Sequence, residues 1–127
     1  MIAHALPPDA VKVIVDYLAP LLDTDVWVGS RMTTAVQADY ARTVSIRRDG
    51  GAQIDQTQDV ARIGINVTAA DEFAAVTLAR TVQWHILQSP DGVVILGAES
   101  MSGPTVVPDA GALARVYLTF EVVLAGE

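Results

Sequence analysis

The sequence predicts an α+β domain with a mainly antiparallel sheet, an extended β-hairpin and two helices packed on one face. Two segments repeat apolar residues at helical spacing, and several others alternate apolar and polar residues as strands do. The connections between the strands are mostly short or hairpin-like, which favours antiparallel pairing. At 127 residues the chain fits one domain, residues 1–127.

The first element is a helix from about Pro8 to Leu22. Pro8 suits the first turn, where a missing N–H does no harm, and Pro20 should kink or end the helix one turn early. A short apolar strand follows at residues 25–29. The predicted apolar stripe of the helix consists of Val11, Ile14, Val15, Leu18 and Leu22.

A β-hairpin is predicted next. Residues 30–41 show no period and are expected to form a loop, and residues 42–49 then alternate, with Val44 and Ile46 on one face. A turn-rich connection with two adjacent glycines leads to the partner strand, residues 59–69, so the hairpin tip at 48–58 is expected to be mobile. The inward side chains of the partner strand are Ala61, Ile63, Ile65 and Val67.

The second helix is predicted at residues 68–88, with Thr68 as N-cap and Asp71 as the acidic half of a capping box. Its core stripe is Ala75, Leu78, Ala79, Val82 and Ile86. A strand at 93–100 and a long Pro- and Gly-containing loop at 101–114 follow. The last strand points Val116, Leu118, Phe120, Val122 and Leu124 to one face and Arg115, Tyr117, Thr119 and Glu121 to the other.

Composition excludes several classes of function. The net charge of −7 argues against nonspecific wrapping of nucleic acid, and the lack of cysteine excludes disulfides and thiol chemistry. The longest apolar runs are strand-sized, and the N-terminus lacks the pattern of a targeting segment. We therefore expect a protein made in a cytoplasm-like setting, without contact to a membrane.

Catalytic and metal-binding motifs are missing from the sequence. The two histidines, His4 and His85, lie in different elements, so no metal site and no cofactor are expected. Ser102 with His85 is the best available nucleophile and base, but no motif brings them together. Trp84 lies beside the core stripe, either as a half-buried edge of the core or as an anchor of a subunit interface. The sequence therefore predicts a protein that is not an enzyme.

The predicted loops are the distinctive features that remain. They comprise residues 30–41, the hairpin tip at 48–58 and residues 101–114. Long loops on a small rigid sheet usually carry contacts, so the sequence indicates an assembly subunit.

Two segments carry a resemblance to a known family. "INVTAADEFAAVTLARTVQWHIL" places an acidic helix start after a strand, and "SMSGPTVVPDAGALARVYLTFEVVLAG" has a "sGP…PD" connection before an Arg-aromatic strand. In this the chain resembles the tail terminator proteins of long-tailed (siphovirus-type) bacteriophages. The residues that match, and that the resemblance implies as subunit or partner contacts, are Ser102, Gly103, Pro104, Pro108, Asp109, Arg115 and Tyr117.

The resemblance implies a structural virion protein that works without a cofactor or turnover. Such proteins form a homo-oligomeric ring, a hexamer, on the head-proximal end of the tail tube. The ring stops polymerisation of the tail tube protein and joins the tail to the head-tail connector or neck proteins. DNA passes through the lumen without sequence-specific binding. The expected location is the virion tail, after assembly in the host cytoplasm.

Several assignments stay open at this stage. Arg115 either bridges to an acid such as Asp109, in the same or the next subunit, or lies on a solvated strand face. Asp49, Asp55 and Asp59 are candidates to face the lumen or the tube, where negative charge would repel phosphate. The nearest alternative function is a head-closure (neck) protein of the same kind of phage. The distant one is a small hydrolase-like enzyme.

Overall fold

The computed structural model describes residues 9–53, 58–108 and 113–125. The elements in chain order are α1 (Ala10–Leu18), a 3-10 turn (Ala19–Leu21), β1 (Val26–Gly29), α2 (Thr34–Asp39), β2 (Arg42–Gln53), β3 (Gln58–Ala69), α3 (Glu72–Leu87), β4 (Ile95–Val107) and β5 (Ala114–Ala125).

The five strands form one sheet in the order β1-β2-β3-β5-β4. β1 pairs with β2 in parallel, and the other three pairings are antiparallel. β2 and β3 form the extended hairpin, and β5 lies between β3 and β4. The predicted α+β class with a mainly antiparallel sheet is confirmed.

The core lies between one face of the sheet and the helices α1 and α3. Every inward residue predicted for the partner strand, for the last strand and for the core stripe of α3 is buried. These side chains form one cluster with Ile14 and Leu18 of α1. Alternation of period two in the strands therefore identified the covered face, and the opposite face carries no part of this cluster.

α1 follows the prediction in outline. Asp9 caps it by accepting a hydrogen bond from the Lys12 backbone N–H at 3.2 Å, and regular helix ends at Leu18. The helix thus ends one turn before the predicted end at Leu22, and Pro20 lies in the 3-10 turn that follows, because a residue without an N–H cannot continue the α-helix. Pro8 lies outside the described residues.

The predicted start of α3 is wrong by one turn. The N-cap is Asp71, whose carboxylate accepts from the Ala74 N–H at 2.8 Å, and Thr68 still belongs to β3. β3 pairs with β5 as far as Ala69, so the strand retains Thr68. The hydroxyl of Thr68 lies 2.5 Å from that of Thr43, and both side chains are buried.

Residues 30–41 were expected to be a loop, but they contain α2. Thr33 caps this helix by accepting from the Val36 N–H at 3.3 Å. Its six residues span less than two turns, and none of them is buried. A helix of this length cannot show an apolar period in the sequence.

The hairpin strands are longer than predicted, because β2 continues through Gln53 and β3 already starts at Gln58. A bulge between Arg48 and Gly50 shifts the register of β2, and pairing with β3 resumes at Gly50 and Gly51. Gly51 has a φ of 102°, and a Cβ there would overlap the Val60 carbonyl oxygen. The glycines therefore serve the bulge and close strand packing, whereas the tip itself, residues 54–57, lies outside the described residues.

The prediction of a loop at residues 101–114 is also wrong for its first half. Residues 101–107 continue β4, and register shifts between Ser100 and Ser102 and between Ser102 and Thr105 accommodate the Gly103–Pro104 pair. The peptide bond between these two residues is cis, and Gly103 has a φ of 85°. β4 is an edge strand, and an edge can hold a proline that lacks an N–H.

Candidate subunit-contact surface

The sheet face opposite the helices presents a polar cluster at its centre. The Tyr117 hydroxyl donates to Asp49 Oδ2 at 2.5 Å, and Arg47 Nε donates to Asp49 Oδ1 at 2.7 Å. The Arg47 guanidinium also lies 5.5 Å from the centre of the Tyr117 ring. We call Arg47, Asp49 and Tyr117 the open-face cluster. It joins β5 to the bulge of β2 across β3.

Gly64 of β3 makes this cluster possible. It pairs with Arg47 on one side and Thr119 on the other, directly beneath the Tyr117–Asp49 hydrogen bond. A Cβ at position 64 would overlap the Asp49 carboxylate and lie 2.6 Å from the Tyr117 hydroxyl oxygen. Glycine is therefore needed here for close approach of side chains, which is a common reason for glycine inside a strand.

Protonation in the cluster follows from its contacts. Burial, and then the hydrogen bond to Asp49, raise the pKa of Tyr117 above its ordinary value. The hydrogen bonds to Tyr117 and Asp49 raise the pKa of Arg47. At neutral pH Arg47 therefore stays a charged guanidinium and Tyr117 a neutral phenol, which suits a fixed polar contact.

The predicted contact residues of β4 reach the same face. Ser102 Oγ lies 2.5 Å from Thr119 Oγ1, and Thr119 alternates with Leu118 and Phe120 of the core, so it points to the open face with Tyr117. Gly103 approaches β5 closely, since a Cβ there would overlap the Tyr117 carbonyl oxygen. Pro104 is partly buried, and Pro108 is exposed just after β4. Asp109 lies outside the described residues.

Arg115 begins the same row of β5. It is opposite Thr68 of β3 and Val107 of β4, and its buried Nε–H donates no hydrogen bond to the described residues. A buried guanidinium nitrogen ordinarily has an acceptor. The bridge to Asp109 stays a prediction, because Asp109 is outside the described residues.

The candidate lumen acids occupy different environments. Asp49 belongs to the open-face cluster, whereas Asp59 is 3% exposed and accepts two hydrogen bonds from Arg48, at 2.6 and 2.8 Å. These bonds hold the pKa of Asp59 below its ordinary value despite burial. Arg48 thus engages both carboxylate oxygens of Asp59 within the subunit. Asp55 lies outside the described residues.

The outer surface of α3 corrects the placement of Trp84, which was expected beside the core stripe, and adds Phe73, which was not predicted. Phe73 is 83% exposed and Trp84 62% exposed, on the side of the helix away from the core stripe. Phe73 borders a cleft of about 440 Å³ with Leu21, Leu22 and Leu78. The position of Phe73 opposite the core stripe could have predicted this surface from the sequence, because a large aromatic residue at a solvent-facing helix position is unusual.

His85 and Ser102 are not brought together. His85 lies in the last turn of α3, where its carbonyl accepts from the Tyr17 hydroxyl at 2.8 Å and its ring meets Trp84 edge-on at 5.3 Å. Ser102 points to the opposite face of the sheet. His4 lies outside the described residues. Within the described ranges there is no group of three metal-ligating side chains and no helix long and apolar enough to span a membrane.

The fold has a counterpart among solved structures. It is similar to a chain of the structure described as "Virion of native gene transfer agent (GTA) particle", with a TM-score of 0.61 and 22% sequence identity. The match covers 96% of this chain and 96% of that chain, so it includes the whole domain. No family model and no curated protein matches the sequence.

Proposed function

We propose that this protein is a tail terminator, a structural virion protein that caps the head-proximal end of a phage-like tail tube as a ring. The ring, a hexamer, stops polymerisation of the tube protein and forms the surface that joins the head. DNA passes through its lumen without sequence-specific binding. The protein has no catalytic role in this proposal, and its partners are its own copies, the tail tube protein and a connector or neck protein.

The observation that carries the proposal is the fold likeness to a virion chain over nearly the full length of both chains. The motif around Ser102, Gly103 and Pro104 adds the finer assignment, because it resembles the connection found in tail terminators. The separation of His85 from Ser102 by the sheet removes the support for a hydrolase-like site. An assembly role therefore agrees best with both the fold and the sequence.

The proposed contact residues lie along one strip of the open face and its rim. Ser102, Gly103 and Tyr117 meet across β4 and β5, and Arg115 lies further along β5. We propose that this strip, continued by Pro104, Pro108 and Asp109, contacts a neighbouring subunit or the tube. Asp49 lies on the same face but is paired with Arg47, and Asp59 is held by Arg48, so Asp55 is the proposed source of negative charge towards the lumen.

The test is electron microscopy of particles assembled with the gene inactivated. Overlong tail tubes without heads are the expected result, because nothing would then stop addition of tube subunits. Tubes of normal length beside unjoined or DNA-leaking heads would instead favour the second candidate, a head-closure protein. Normal infectious particles would contradict both assembly roles.

A further inference from the structure

Two groups of exposed apolar side chains lie on different elements of the fold. The first, which we call the α3 trough, runs along the outer side of α3 next to the 3-10 turn and the start of β2. The second, the β4 patch, lies on and before β4, an edge strand of the sheet. It consists of Val93, Val94, Leu96, Met101 and Val106.

The α3 trough is continuous. The cleft of about 440 Å³ at Phe73 and a second one of about 350 Å³ at Trp84 share Thr77 and Thr81. Exposed aromatic side chains beside a concave apolar surface are typical anchors of protein interfaces. The trough therefore has the shape and chemistry to receive apolar side chains from another molecule.

The charges beside the two surfaces indicate that the molecule bound in the α3 trough is a second copy of this chain. Arg80 borders the trough, and Glu99 is an exposed residue of β4 between Leu96 and Met101 in the sequence. Neither makes an ion pair within the part of the chain that the structure describes. Glu99 also lies opposite Glu121 in the β4–β5 register, and like charges in this arrangement repel. Arg62 of β3 lies on the other side of Glu121, so this row of the sheet holds two acids and one base. One surface thus offers a cation, and the other a net negative charge.

We propose that the β4 patch of one copy packs into the α3 trough of the next copy, with Glu99 beside Arg80. The two surfaces consist of different residues, so the contact is heterologous and repeats from copy to copy. Such contacts build rings when the rotation closes. The inference rests on the proposed ring and adds the surfaces that hold it together.

The absence of cysteine from the chain permits a clean cross-linking test. Thr81→Cys labels the trough, and Met101→Cys labels the patch. We expect oxidation of a mixture of the two variants to give disulfide-linked dimers, whereas each variant alone stays uncross-linked. The double variant should give a ladder of multimers that ends at the ring size. The same samples are tested as purified protein and in assembled particles.

A charge exchange tests the same contact independently. Arg80→Glu and Glu99→Arg should each weaken self-association by roughly tenfold or more in sedimentation velocity, and the double variant should regain it. Arg31→Glu is the matched control, because Arg31 is exposed and lies outside both surfaces. No mixed disulfide in either preparation, or no rescue by the double exchange, would overturn the inference. Tail length after gene inactivation is independent of these results and tests the proposed function separately.

Discussion

Substitution of Gly64 by alanine tests the open-face cluster most directly. The new methyl group would overlap the Asp49 carboxylate and lie 2.6 Å from the Tyr117 hydroxyl oxygen, which is closer than van der Waals contact. Both side chains must therefore move, and the 2.5 Å hydrogen bond between them must break. Gly64 has no positive φ, so its backbone tolerates alanine, and the effect arises from the side chains above it.

The expected loss of stability combines a lost hydrogen bond and local overpacking with a gain from replacing glycine by alanine. A hydrogen bond to a charged group contributes about 1.5 kcal/mol at a partly exposed site, and local overpacking costs about 1 kcal/mol. Alanine regains roughly 0.5–1 kcal/mol over glycine within a strand. Gly64→Ala should therefore lower the free energy of unfolding by about 2 kcal/mol, which corresponds to a fall in Tm of roughly 5–10 °C.

The assay is urea unfolding followed by tryptophan fluorescence, at one fixed low protein concentration so that self-association does not contribute. The control is the same substitution in a Tyr117→Phe background, where the hydroxyl is already gone and Asp49 can move aside. There we expect Gly64→Ala to cost less than about 0.5 kcal/mol. Equal losses in both backgrounds would refute the argument that the tyrosine–carboxylate contact requires glycine at position 64.

Three further predictions concern other buried or contact side chains. Asp59→Asn should destabilise the protein by about 2 kcal/mol at pH 7, because Arg48 loses its charged acceptor. Since folding lowers the pKa of Asp59, the stabilisation by its ion pair is present above the unfolded-state pKa and is lost as the pH falls through the folded-state pKa. Acid should therefore reduce the stability of the variant less than that of the wild type. Parallel curves of unfolding free energy against pH would contradict this. Thr43→Val or Thr68→Val alone should cost about 1–2 kcal/mol by leaving one buried hydroxyl without its partner, whereas the double variant should lie close to the wild type in chemical denaturation; additive losses would argue against the pairing. Arg115→Ala should fold, as measured by circular dichroism, but impair ring or tail assembly, and normal tails built by this variant would remove the proposed role of Arg115.

The sequence predicted the covered face of the sheet well, because burial of one face imposes an alternation of apolar and polar residues that is visible in each strand of a single sequence. Val116, Leu118 and Phe120 are buried as expected, and so is the core stripe of α3. Failures occurred where non-local pairing decides the structure. Thr68 has the chemistry of an N-cap, yet its pairing with Arg115 keeps it in β3. Gly103 and Pro104 have the chemistry of a loop, yet pairing of the flanking Ser102 and Thr105 with β5 retains them in β4.

The candidate surface was only partly predictable. Tyr117 and Ser102 were singled out by resemblance, and the structure adds the contacts that hold them on the open face. Gly64 could not have been identified, because its importance depends on Asp49 and Tyr117 meeting above it from two other strands. Phe73 shows the reverse case, in which the signal was present in the helical spacing but was not used.

The irregular course of β4 has a consequence for how the protein behaves at high concentration. An edge strand of 13 residues with exposed Leu96, Met101 and Val106 would ordinarily attract the edge of another molecule and extend the sheet indefinitely. The three breaks in its register and the missing N–H of Pro104 interrupt the row of backbone groups that such extension needs. Copies of this chain are thereby disfavoured from stacking edge to edge into fibrils, and can accumulate as separate molecules while side-chain recognition remains available to β4.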